Sequence, residues 1–256
     1  MIKLGLIGSD ITHSLSSAVH TCVMDKLGIE GEYTHYTVEK GGLPAFMESV
    51  KAGEINGFNV TMPHKTDIIP YLDFMDEESI SYNAVNTVNI VNGKLHGYNT
   101  DAVGFVLSLE EQGVEVEGKN IIILGTGGSA SSLALKFARL NAKSVDMVSA
   151  RDIPSELPSC DILVNATPLG MQGKAADFTD FGFLDSLHNA AVVCDLIYAP
   201  PKTTLLKEAE ARGLKIINGL GMLIYQALIS DEIYLNTKID LHEMKNYVMY
   251  NLSVFS

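Results

Sequence analysis

Ile121-Ile122-Ile123-Leu124-Gly125-Thr126-Gly127-Gly128-Ser129-Ala130 is an apolar, β-branched run that breaks into glycines and resumes with small helix-compatible residues. It fits the spacing G-x-G-x-x-A between a strand and a helix. Gly125 permits a tight turn, Gly127 lets backbone approach a pyrophosphate, and Ala130 lets the helix pack close on the strand. The helix N-terminus then offers free N–H donors and a positive dipole end to phosphates. The same glycines also suit a turn that is merely tight. The next strand ends at Ser149-Ala150-Arg151-Asp152. An acid there selects NAD, and an arginine there clamps the 2′-phosphate of NADP. Both are present, and a solvated turn is the third reading.

Outward from this turn the pattern repeats. Lys119–Leu124 reads as a strand and Ser129–Asn141 as a helix. Val145–Ser149, Ile162–Asn165, Val192–Asp195 and Lys215–Ile217 are further short apolar strands. Strands alternating with helices predict an α/β, doubly wound parallel sheet of Rossmann-like type. The first hundred residues mix elements differently. Residues 2–7, Glu32–Val38 and Gly57–Val60 read as strands, and residues 15–28 and Leu43–Ala52 as helices. Val85–Val91 and Lys94–Gly97 read as a hairpin around Asn92-Gly93. Asp101–Gln112 reads as a helix, and after Gly221 so do Met222–Leu228 and Leu241–Tyr250. The expected organisation is an N-terminal α/β domain of residues 1–101 plus about 223–256, and a dinucleotide-binding domain of about 102–222. The C-terminal helices are expected to pack back on the first domain.

The chain has 256 residues, 46% apolar and 19% charged, which is a globular composition. A formal net charge of -13 disfavours nucleic-acid binding. No apolar run reaches membrane-spanning length, and the short run at residues 1–8 suits a first buried strand better than a signal peptide. Cys22, Cys160 and Cys194 are odd in number and scattered, and the histidines lack ligand spacing. This suits a cytoplasmic, metal-free protein.

Three segments concentrate small polar side chains beside apolar strands. In Thr12-His13-Ser14-Leu15-Ser16-Ser17, two hydroxyls precede a helix and suit either a bound carboxylate or an ordinary helix cap. In Gly57-Phe58-Asn59-Val60-Thr61-Met62-Pro63-His64-Lys65, Asn59 and Thr61 share one face of an extended stretch, and Lys65 follows a proline-fixed turn. The third segment joins Ala84-Val85-Asn86-Thr87 to Gly97-Tyr98-Asn99-Thr100-Asp101-Ala102-Val103-Gly104. Asp101 opens a helix there and could equally be its N-cap. Reducing a ketone reversibly needs a proton for the new alkoxide and a substrate held in register. A Lys–Asp pair meets the first need without metal.

Together these segments resemble the shikimate dehydrogenase family, which interconverts 3-dehydroshikimate and shikimate with NADP on the way to aromatic amino acids. The resemblance runs along nearly the whole chain: HSLS at 13–16, GFNVTMPHK at 57–65, AVNT at 84–87, GYNTDAVG at 97–104, LGTGGSA at 124–130, NATPLGM at 165–171, DLIYAPPKTTLL at 195–206 and NGLGMLIYQA at 218–227. It implies an active site in a cleft between the two domains. It implies Lys65 and Asp101 as the catalytic pair, with Ser14 and Ser16 on the substrate carboxylate and Tyr198 nearby. Asn59, Thr61, Asn86 and Gln226 would bind the ring hydroxyls. Gly125, Thr126, Gly127, Gly128 and Ser129 would carry the pyrophosphate. Thr167, Leu196 and Gly219 would line the nicotinamide, Arg151 would serve the 2′-phosphate, and Glu77 matches a position linked to the cofactor. The partners implied are small molecules only, for a monomer or homodimer.

Four departures stand out. Gly8-Ser9-Asp10 replaces the family's GxP, and Ser17 replaces a proline. Ser149-Ala150-Arg151 replaces Asn-Arg-Thr. Only about ten residues separate that strand from Cys160–Asn165, where a parallel crossover takes a dozen or more, usually with a helix. A weaker clamp on the 2′-phosphate is therefore expected, with NAD a possible cofactor. A quinate/shikimate dehydrogenase using NAD is one alternative. A non-catalytic shikimate-binding regulator is another, and the intact Lys65 and Asp101 argue against it.

Overall fold

A computed structural model describes residues 1–12, 14–173 and 176–254. His13, the first residue of the 13–16 motif, lies outside the described residues. The chain divides into two compact units, Met1–Gly104 with Ile224–Ser256, and Phe105–Leu223.

The first unit is built on β1 (Ile2–Gly8), which is paired on both sides and therefore apolar through Leu4, Leu6 and Ile7. Its neighbours in the chain are α1 (Ser16–Leu27), β2 (Gly31–Thr37), α2 (Leu43–Lys51) and β3 (Gly57–Val60). They are followed by β4 (Phe74–Met75), α3 (Glu77–Tyr82), β5 (Thr87–Val91), β6 (Lys94–Tyr98) and α4 (Asp101–Glu111). The sheet runs β2-β1-β3-β5-β6-β4. β1 pairs in parallel with β2 and β3, and β5 is antiparallel to both β3 and β6. The register sets Asn59 opposite Thr87, which is how the polar segments of the two strands come side by side. Phe58 points the other way, into a core with Ile7, Phe46, Met47, Ile68 and Val88, and its ring meets Phe46 edge-on at 5.2 Å.

The second unit contains β7 (Asn120–Leu124), α5 (Gly128–Arg139), β8 (Ser144–Val148), β9 (Ile162–Asn165), β10 (Val192–Asp195), α6 (Thr204–Ala211) and β11 (Lys215–Ile217). Its sheet is parallel throughout, in the order β11-β10-β9-β7-β8. The three central strands β7, β9 and β10 are apolar and buried because parallel sheets are covered on both faces, whereas the edge strands leave Lys215 of β11 exposed and Met147 of β8 45% exposed. Residues 149–161 carry the chain from β8 across β7 to β9 without a helix. Extended chain spans about 3.3 Å per residue, so this loop has reach enough without one. It is pinned by Leu157 and Cys160, which are buried in the core of the unit.

The chain ends with α7 (Leu220–Leu235) and α8 (Leu241–Val254). α8 packs on α1, where Lys26 Nζ lies 4.7 Å from the centre of the Tyr247 ring. Among the described residues no helix is long and apolar enough to cross a membrane, and the three cysteines are free.

Phe58→Ala should cost about 3–5 kcal/mol, because a fully buried aromatic leaves a cavity that strands on both sides prevent from closing. Urea unfolding followed by circular dichroism measures it, and a loss under about 1 kcal/mol would contradict this picture of the core.

Candidate active site

In the first unit, the polar segments converge on the amide of Asn86. Its Nδ2 lies 2.8 Å from Asp101 Oδ1, 2.9 Å from Thr100 Oγ1 and 3.3 Å from Gln226 Oε1. Its Oδ1 accepts from Thr100 N at 2.9 Å and from Thr87 Oγ1 at 3.0 Å. Lys65 Nζ donates to the other Asp101 oxygen, Oδ2, at 2.5 Å. The two side chains of this ion pair are 26% and 16% exposed, so it is partly sheltered yet reachable. Asp101 is the first residue of α4, and its carboxylate is spent on Lys65 and Asn86.

Asn59 is buried beside this group. Its Nδ2 lies 3.1 Å from Thr87 Oγ1 and 3.2 Å from Ser230 Oγ. Thr61 follows β3 and stays half-buried, its N–H bonded to Ile7 O at 2.9 Å. Gln226 reaches Asn86 because α4 and α7 approach closely at Gly104, where a Cβ would sit 2.7 Å from Gln226 N. Ser14 and Ser16 are joined to each other, with Ser14 Oγ donating to Ser16 Oγ at 3.0 Å. The residue at the N-cap of α1 is Leu15, with no side-chain cap bond.

Glu77 is exposed on the first turn of α3, where Asp76 caps the helix by accepting from Ser79 N. Tyr198 lies in the second unit, half-buried in the turn after β10.

In the second unit, β8 lies on one side of β7 and β9 on the other, so the strand order reverses there. Ligands of open α/β sheets bind at such a switch point, beyond the carboxyl ends of the strands. The residues there are Gly125, after β7, and Thr167, after β9; a Cβ on Gly125 would meet Thr167 Cγ2 at 3.1 Å. Gly125 has φ +122°, a conformation open to glycine. Thr126, Gly127, Gly128 and Ser129 are exposed, and a Cβ on Gly127 or Gly128 would meet nothing within 4 Å. Gly127 caps α5 without any side-chain bond, leaving the first N–H groups of the helix available. This backbone cradle fits a dinucleotide pyrophosphate.

Thr167 is fixed by Asn165, whose Oδ1 accepts from Thr167 N at 3.0 Å and from Thr167 Oγ1 at 2.6 Å. Asn165 Nδ2 in turn donates to Asp195 Oδ1 at 3.0 Å. Asp195 also accepts from Ile197 N at 3.0 Å and Thr203 Oγ1 at 2.7 Å. Burial pushes this carboxyl up to about 6, against the pull of those three donors. Leu196 and Gly219 flank this knot, with Gly219 N bonded to Ile197 O at 3.0 Å. Arg151 is exposed on the helix-free crossover and lines a cavity of about 690 Å³ with Ile153, Thr167, Pro168, Leu169 and Phe178. Asn165, Thr203 and Asp195 lie inside segments noticed in the sequence, but only their bonding gives them a task. Thr87, Thr100 and Ser230 were likewise unassigned, since nothing in an isolated Ser or Thr marks a buried partner.

A five-stranded parallel sheet with an open glycine turn at its switch point defines a dinucleotide-binding α/β protein. The family described as shikimate dehydrogenase substrate binding domain matches residues 6–88. A Staphylococcus aureus (strain bovine RF122 / ET3-1) protein named shikimate dehydrogenase (NADP(+)) is 36% identical, across 98% of this chain and 99% of its own. The crystal structure of a chorismate mutase/shikimate 5-dehydrogenase fusion protein from Clostridium acetobutylicum superposes with a TM-score of 0.89 at 29% identity, covering 99% of each chain. The shikimate 5-dehydrogenase of Thermus thermophilus, in complex with NADP(H) and shikimate, gives 0.86 at 28% identity, covering 98% of this chain and 99% of that one. The chain belongs to the shikimate dehydrogenase family.

Gly127→Ala separates cofactor binding from folding. Its backbone is extended and its surroundings are empty, so the variant should melt within a degree or two of the parent. The added methyl would project into the open cradle, and if the cradle holds the pyrophosphate the KM for the dinucleotide should rise about tenfold, equivalent to about 1.4 kcal/mol. An unchanged KM would place the cofactor elsewhere.

Proposed function

We propose that this protein is a shikimate dehydrogenase that reversibly reduces 3-dehydroshikimate to shikimate with NADP. The observation that carries the reading is the Lys65–Asp101 ion pair at 2.5 Å, with Asn86 bonded to Asp101 and to Gln226 and with Asn59 bonded to the Asn86 carbonyl, in a chain of this family. Bound NADPH supplies the hydride. Lys65 holds the proton, at Nζ, for the oxygen that becomes the new hydroxyl. Asp101 keeps that side chain in place, and the Asn86 amide keeps Asp101 from turning away. In the reverse direction Lys65 takes the proton from the hydroxyl being oxidised.

Ser14 and Ser16 are assigned to the substrate carboxylate, with Tyr198 near it. Asn59, Thr61, Asn86 and Gln226 are assigned to the ring hydroxyls. Gly125, Thr126, Gly127, Gly128 and Ser129 are assigned to the pyrophosphate, and Thr167, Leu196 and Gly219 to the nicotinamide side. Arg151 is assigned to the 2′-phosphate. Glu77 is assigned to the cofactor on the family resemblance alone. The substrate-binding and catalytic domain is then residues 1–101 plus about 223–256, and the NADP-binding domain about 102–222. The protein acts on free metabolites in the cytoplasm, as a monomer or homodimer.

A second reading, use of NAD with shikimate or quinate, is favoured by one feature. Arg151 stands exposed on a crossover that has no helix to hold it. The expected result is turnover with NADP and a modest loss with NAD; a steep NADP preference would count against a weakened clamp.

The purified protein should form NADPH from NADP and shikimate. Lys65→Ala should lower kcat by about 10²–10⁴-fold, the usual worth of a placed acid–base group, while still binding shikimate in calorimetry. Parent protein that binds shikimate without turning it over would favour the regulatory alternative.

A further inference from the structure

Tyr33, on β2, appears in none of the polar segments that mark the site. It is 8% exposed, and its hydroxyl donates to Asn59 Oδ1 at 2.9 Å. With Oδ1 engaged there, the other end of the Asn59 amide faces Thr87, Ser230 and the carbonyl of Asn86. The phenol oxygen therefore touches a residue assigned to the ring hydroxyls.

The ring that carries this oxygen is held firmly. The His20 imidazole stacks on it at 4.2 Å with planes 10° apart, and His35 meets it edge-on at 6.2 Å. His20 Nδ1 is 2.7 Å from Asp231 Oδ1, and both side chains are fully buried. Asp231 follows Ser230 on α7, so one helix turn supports Asn59 directly through Ser230 and indirectly through Asp231, His20 and Tyr33. A buried tyrosine usually needs one partner for its hydroxyl. Here that partner is a proposed substrate ligand.

We propose that Tyr33 is a positioning residue for the substrate, its phenol setting the orientation of the Asn59 amide. The inference rests on the assignment of Asn59 to the substrate. Without the phenol, Asn59 Oδ1 loses the donor that fixes the amide. A substrate that meets disordered donors binds less well, whereas the proton pair Lys65–Asp101 is untouched.

The test is steady-state kinetics of the full chain, comparing the parent, Tyr33→Phe and Asn59→Ala. Tyr33→Phe keeps the ring stacked on His20. It should raise the KM for shikimate about tenfold, the worth of one well-placed buried hydrogen bond, with kcat reduced less than about threefold and the KM for NADP unchanged. A thermal melt of each variant accompanies the kinetics. A shikimate KM within twofold of the parent, while Asn59→Ala raises it, would overturn the role of Tyr33 alone. Equal rises in both KM values would also overturn it, because a general loosening of the fold would explain them. If neither variant moves the shikimate KM, the substrate assignment of Asn59 fails as well.

Discussion

The amide of Asn86 is the junction on which the first unit's site depends. It binds the residue that holds Lys65, the hydroxyl and N–H of Thr100, and Gln226 from α7. These groups come from positions up to 140 residues apart in sequence. Their meeting requires the antiparallel register of β5 on β3 and β6, because a slip of one residue would turn Thr87 and its neighbours to the opposite face. It also requires Gly104, since any side chain there would push α7 and Gln226 away. An amide this buried is costly when half-satisfied, so the network tends to form whole or not at all.

Much of the fold was legible because its signals are local. Gly57–Val60, Ile162–Asn165, Val192–Asp195 and Lys215–Ile217 form strands with the bounds their apolar runs indicate. What escaped had weak local signals. α3 spans six residues, too few for helical periodicity, although its cap Asp76 is of the expected type. α6 spans only eight residues, too few for a clear helical period, though Thr203 caps it by accepting from Leu206 N. α7 read as a helix only over 222–228 but runs Leu220–Leu235, because it is apolar on most sides and shows little amphipathic contrast. Strand order was not readable at all, since it is set by pairing across long separations.

The site divides in the same way. Lys65, Asp101, Asn59 and Asn86 were found because each sits in a dense polar segment. The choice between a capping Asp101 and a paired one needed coordinates, since either role uses the same residue at the same helix start. Tyr33, His20 and Asp231 carried no such mark. Each is an ordinary residue on its own element, and their relation exists only after α1, β2 and α7 have packed.

The two units prepare for their ligands by different physical means. In the first, side chains are already hydrogen-bonded to one another, so on the proposed assignment the substrate meets groups whose orientation costs little to maintain. In the second, the cradle is bare backbone at Gly127 and Gly128, while a buried carboxylate, Asp195, ties together the end of β9, the chain after β10 and the N-cap of α6. Backbone cannot be altered by most substitutions, and a buried acceptor with three donors tolerates few. The start of the crossover, at Arg151, is neither: it is exposed and helix-free, with Arg151 N bonded back to Ser149 Oγ. On the proposed assignment, variation in that loop would retune the adenosine end of cofactor recognition while leaving the phosphate cradle and the proton pair unchanged.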